Sequence, residues 1–144
     1  MRFFGLAFIV LLIGLLSGCG QAIGVDEVSD LFDDYQAQNV AYGKFSDGEL
    51  FIDAELEDFD EPVDVKITEN GIYYPKPDGQ ADFVPVTHYR LLESGAVEVT
   101  LKNNGNSLRL IRKGESVYIE INFGRYELED GERKTGYTYL IYEK

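Results

Sequence analysis

Val117-Tyr118-Ile119-Glu120-Ile121-Asn122-Phe123-Gly124-Arg125-Tyr126-Glu127-Leu128 is followed by Asp130-Gly131 and then by Gly136-Tyr137-Thr138-Tyr139-Leu140-Ile141-Tyr142. Val117, Ile119, Ile121 and Phe123 alternate with Tyr118, Glu120 and Asn122. That two-residue period is the mark of a strand with one face buried. Gly124 reads as a bulge, with Tyr126 and Leu128 carrying the strand on. Asp130-Gly131 is a turn dipeptide, so the two runs form neighbouring antiparallel strands.

The same grammar extends toward the N terminus. Leu108 and Leu110 precede a turn at Arg112-Lys113-Gly114, and Val97, Val99 and Leu101 alternate before Asn103-Asn104-Gly105-Asn106. Phe83 to Leu92 is a strand, and Pro85, which cannot donate to a ladder, suggests an edge there. Val63, Val65 and Ile67 alternate up to Asn70-Gly71, the strongest hairpin signal in the chain, and Ile72-Tyr73-Tyr74 returns from it. Leu50, Ile52, Ala54 and Leu56 suggest the earliest strand, with Asp53 and Glu55 on its other face, a short helix being the alternative there. Before it, Val25, Val28, Leu31, Phe32 and Tyr35 recur at helical steps, so Val25 to Ala41 is expected to be an amphipathic helix.

The expected fold is therefore mainly β: an antiparallel meander of about eight strands, a barrel or half-open curled sheet, with one N-terminal amphipathic helix packed on it. The strand–turn series ending in Tyr137-Thr138-Tyr139-Leu140-Ile141-Tyr142 resembles small lipocalin-like bacterial domains in architecture. The chain lacks the Gly-x-Trp that lipocalins usually carry, having no tryptophan at all. The meander pattern and the aromatic content, ten tyrosines and nine phenylalanines, give as an alternative function a carrier or sensor of a small apolar ligand inside such a barrel.

The first 19 residues carry an address. Met1 and Arg2 precede an apolar run, Phe3 to Leu16, long enough for the core of a secretory signal but short of the ~20 residues a membrane-spanning helix needs. Leu16-Ser17-Gly18-Cys19 follows, and here the chain resembles a bacterial lipoprotein precursor at its lipobox. The resemblance implies acylation of Cys19, the only cysteine, cleavage before it, and anchoring in the cell envelope by several acyl chains. Residues 1–18 are then signal peptide, residues 19–24 the lipidated cysteine and a short linker, and residues 25–144 a single β-rich domain. Gly20 after the cysteine favours the outer membrane in a Gram-negative cell; a Gram-positive cell would hold the protein in its cell membrane.

From residue 20 on, 26 acidic side chains face 12 basic ones, a net charge of −14. Residues 20–82 hold 17 acidic side chains against Lys44, Lys66 and Lys76, while residues 83–144 hold nine of each sign. Phosphate contacts need clustered Lys and Arg, so nucleic acid is not the expected partner. An acidic half suits a basic protein or peptide, or a divalent cation. The densest acidic constellation is Asp53, Glu55, Asp58, Asp60, Glu61 and Asp64. Its oxygen donors suit Ca²⁺ in kind, but Val63 stands where a helical-hand calcium loop counted from Asp58 needs glycine. The lone histidine, His88, falls on a mixed strand face, and no nucleophile motif, phosphate loop or zinc spacing accompanies it. The chain is accordingly expected to be a non-catalytic binding module without a cofactor.

Overall fold

The computed structural model describes residues 27–56, 61, 63–75, 78 and 80–144. The signal-like segment, Cys19, its linker, Asp58 and Asp60 lie outside the described residues. A short 3-10 turn, Ser29–Leu31, leads into nine strands. They are β1 (Asp33–Ser46), β2 (Glu49–Glu55), β3 (Val63–Thr68), β4 (Gly71–Pro75), β5 (Ala81–Leu91), β6 (Val97–Leu101), β7 (Ser107–Lys113), β8 (Ser116–Glu127) and β9 (Arg133–Glu143).

Every pairing is antiparallel, and β9 returns to pair with β1, so the sheet closes into a barrel. The nine strands make eight rungs, because β2 and β3 share one edge of β1. Glu49 to Glu55 pairs with Ser46 to Ala41, and Val63 to Ile67 continues along Ala37 to Asp33. The acidic connection between β2 and β3 therefore replaces only a short interval of a rung. The β1–β9 pairing removes the terminal edge of the meander, while β2 and the part of β8 beyond Glu120 each keep one edge without a strand partner among the described residues.

The lumen is filled from every rung. Tyr35, Val65, Ile72, Val86, Val99, Leu110, Ile119 and Tyr142 belong to one buried cluster, and the 3-10 turn adds Val28 and Leu31 to it. A second cluster lies on the opposite side of the same strands. Ile111, Tyr118, Tyr139 and Ile141 pack there with Ala41, Phe45 and Ala96, and with Leu50 and Ile52 of β2. The alternation along β9 shows the two-sidedness directly: Leu140 and Tyr142 face the lumen cluster, Tyr139 and Ile141 the outer one. The β1–β2 hairpin covers this outer wall. Phe45 reaches the Arg109 guanidinium, 5.4 Å from its ring centre, and Gly48 comes against the Ser94 carbonyl in the β5–β6 turn. Gly43 allows the close approach, since a Cβ there would run into the backbone of Phe51 and Ile52.

The expected helix over Val25 to Ala41 is not formed among the described residues; Asp33 to Ala41 is strand. Val28, Leu31 and Tyr35 are buried, as a helix would also require. Beyond Asp33, however, Tyr35 and Ala37 are buried at a two-residue spacing, and β1 finds partners on both edges. Ladder pairing with β9 and β3 outweighs a helical period carried by few residues. The bulge expected at Gly124 falls instead between Glu120 and Asn122. That shift turns Ile121 and Phe123 outward, Phe123 to 66 % exposure, and buries Tyr126. β5 is not an edge: β4 and β6 flank it. Pro85 sits opposite Gly71 at the end of the β4 ladder, where its carbonyl accepts the Lys102 N–H at 2.9 Å.

Candidate binding site beyond the lumen

The lumen face does not end with the core. On β9 the residues sharing the side of Leu140 and Tyr142 continue as Thr138, Gly136 and Lys134. Register sets Tyr42 and Asn122 beside Thr138, Gly124 beside Gly136, and Tyr126 beside Lys134. β7 pairs with β8 only as far as Glu120. The far halves of β8 and β9, together with β1 and β2, thus extend the lumen face into an open trough.

Two depressions occupy the trough. One, of about 310 Å³, is lined by Tyr42, Asn122, Gly124, Tyr126, Gly136 and Thr138 among others. The other, of about 460 Å³, lies between β2 and the β8–β9 turn; Asp53, Glu55, Leu56, Glu127, Glu129 and Asp130 line it. Tyr42 touches both, and its ring stacks on Tyr126 with centroids 4.7 Å apart and planes 10° from parallel. The divider is fixed from behind: the Tyr126 hydroxyl donates to Asp53 Oδ2 at 2.6 Å, and Lys134 Nζ to Asp53 Oδ1 at 2.7 Å. Hydrogen bonds from Lys134 and then Tyr126 hold the Asp53 carboxyl below the usual carboxylate range. Burial, reinforced by Asp53, pushes the Tyr126 hydroxyl well above the usual tyrosine range.

The acidic constellation read from the sequence is divided by the fold. Asp53 and Glu55 line the groove, but Asp53 is spent on the divider while Glu55 is exposed. Asp64 sits farther along the β1 edge, accepting from Gln36 Nε2 at 3.3 Å. Glu61 is exposed. Asp58 and Asp60 are not among the described residues. Among the described residues, no three of His, Cys, Asp and Glu converge as metal ligands. Of the groove's other carboxylates, Glu127 ends β8 and Glu129 and Asp130 come from the β8–β9 turn. Their only sequence signal was an acidic run beside Asp130-Gly131. His88 is exposed and shares a 3.2 Å contact with Thr100 Oγ1.

The uneven charge of the sequence is also redistributed. Closure sets the first strands beside the last, so basic residues of the C-terminal half meet acidic residues of the N-terminal half. Arg112 pairs with Asp30 at 2.6 Å, Lys144 with Asp33 at 3.0 Å, and Lys134 with Asp53 at 2.7 Å. These pairs narrow the contrast between the two halves of the chain, while Glu55, Glu127, Glu129 and Asp130 line the groove. No family model, no curated protein and no solved structure matches the chain, so the function of the trough is read from its own geometry.

Proposed function

We propose that the protein is a lipid-anchored, non-catalytic binding module of the bacterial cell envelope, tethered through acylated Cys19 and engaging a basic protein or peptide in the groove between β2 and the β8–β9 turn. The carrying observation is the groove itself: Glu55, Glu127, Glu129 and Asp130 converge on a depression of about 460 Å³ whose lining also includes Leu56 and Leu128. Carboxylates around an apolar lining suit a lysine- or arginine-rich segment with an apolar residue between its charges. The lumen is occupied by the protein's own side chains from all eight rungs. That favours a surface site over a carrier holding an apolar ligand inside the barrel.

The test uses the full chain and a lysine-rich peptide with one central leucine. Replacing Glu55, Glu129 and Asp130 with their amides is expected to weaken capture at least tenfold and to flatten its salt dependence. In the same cells, Cys19→Ala is expected to release the protein from the membrane fraction. Salt-sensitive capture that survives the amide variant sinks the groove; membrane retention of the Cys19 variant sinks the anchor.

A further inference from the structure

The smaller depression calls for a different occupant. Gly124 and Gly136 face each other across β8 and β9, and directly opposed residues share one face of the sheet. Gly136 is required by packing, since a Cβ there would collide with the Gly43 carbonyl and crowd the Tyr126 hydroxyl. Among the described residues nothing requires Gly124: a Cβ there meets no atom within 4 Å, and its backbone is not among the positive-φ glycines. Glycine in mid-strand weakens the strand. What its missing side chain accomplishes is to keep the floor of the 310 Å³ depression open.

The walls define the guest. Tyr42 and Tyr126 form a fixed aromatic plate, immobilised by their parallel stack and by Asp53. Asn122 and Thr138, paired across the hairpin, bring side chains that both donate and accept. Phe123 adds an exposed ring, and Arg125 and Glu127 one charge of each sign, Glu127 also pairing with Arg133 at 2.9 Å. A hydrocarbon would leave Asn122 and Thr138 without partners, and an ion would meet charges of both signs. The volume lies at the small end of ligand sites. We infer that this depression binds one neutral pyranose ring, its C–H face against the tyrosine plate and its hydroxyls on Asn122 and Thr138, over a backbone floor left bare by Gly124. The two depressions share Tyr42 and Glu127, but the sugar rests on Asn122, Thr138 and Gly124 and the basic partner on Glu55, Glu129 and Asp130, so neither proposal depends on the other.

Saturation-transfer NMR of the full chain against glucose, galactose, mannose, N-acetylglucosamine and their disaccharides tests it. Wild type is expected to transfer saturation to the C–H protons of at least one of these sugars. Gly124→Val should keep the β-sheet circular dichroism spectrum and an unfolding midpoint at or above wild type, yet lose binding at least tenfold. Thr138→Val, nearly isosteric, should weaken binding severalfold and guards against misfolding of the glycine variant. Absence of transfer to every sugar in the panel overturns the site, as does undiminished transfer in a folded Gly124→Val protein. So does an apolar dye that occupies the depression while sugars do not and is expelled by Gly124→Val.

Discussion

The two walls of the same strands are held by different chemistry. The lumen cluster is mainly aliphatic, with Ile67, Ile72, Val97, Val99, Leu110 and Ile119 fully buried alongside Tyr35, Tyr89 and Tyr142. The outer cluster is built around a polar staple. Glu120, only 6 % exposed, accepts from Arg109 Nε and NH2 at 2.7 and 2.9 Å and from the Tyr139 hydroxyl at 2.7 Å. The Arg109 guanidinium then lies against the rings of Phe45 and Tyr137. Apolar packing is non-directional and belongs to the whole barrel, whereas the staple fixes one hairpin in one pose. The lumen carries stability; the outer wall sets the position of β1 and β2, and with them Tyr42, Asp53 and the trough.

Substitutions separate the two roles. Leu110→Ala should have the largest effect, about 3–4 kcal/mol, because a cavity opens where every rung meets. Urea unfolding measures it, and amide exchange should accelerate throughout the barrel. Glu120→Ala should cost about 3 kcal/mol, leaving Arg109 without its carboxylate and the buried Tyr139 hydroxyl without its acceptor. Its exchange should rise first over residues 44–52 while lumen amides stay protected; uniform acceleration in both variants would erase the distinction between the walls.

The smallest effect belongs to the divider. Asp53→Asn should cost about 1 kcal/mol at neutral pH. Because the folded carboxyl is held below its ordinary value, its contribution is present above the unfolded pKa of about 3.9 and lost as pH falls through the folded value. Wild type and Asp53→Asn should therefore differ at pH 7 and converge in acid well below about pH 3.9. A gap that persists in acid would assign the effect to packing rather than charge.

All eight strands expected from alternation are present, because each needed only local period and a turn dipeptide. The helix misreading at Val25 to Ala41 had a physical source: Leu31 and Tyr35, four apart, are both buried, as a helix would have them, and the Tyr35 hydroxyl even reaches the Leu31 carbonyl at 2.9 Å. What the local pattern lacked was the partner, since β9 lies about a hundred residues away. The trough was half legible for the same reason. Asp53 and Glu55 stood out as an acidic run, but Tyr42, Asn122 and Gly124 acquire meaning only through register. The bulge between Glu120 and Asn122 could not be located from composition, and it decides that Tyr126 rather than Phe123 lies on the lumen side, where it stacks on Tyr42.

The seam between β1 and β9 also has a consequence for biogenesis. Its ladder joins Gly43 to Tyr137 at one end and Gln36 to Glu143 at the other, so the first strand made waits for the last. Non-local pairing of this kind is slow to form. Under the export proposed above for residues 1–18, slowness would be an advantage, because the barrel cannot close along this seam before its last eleven-residue strand has emerged.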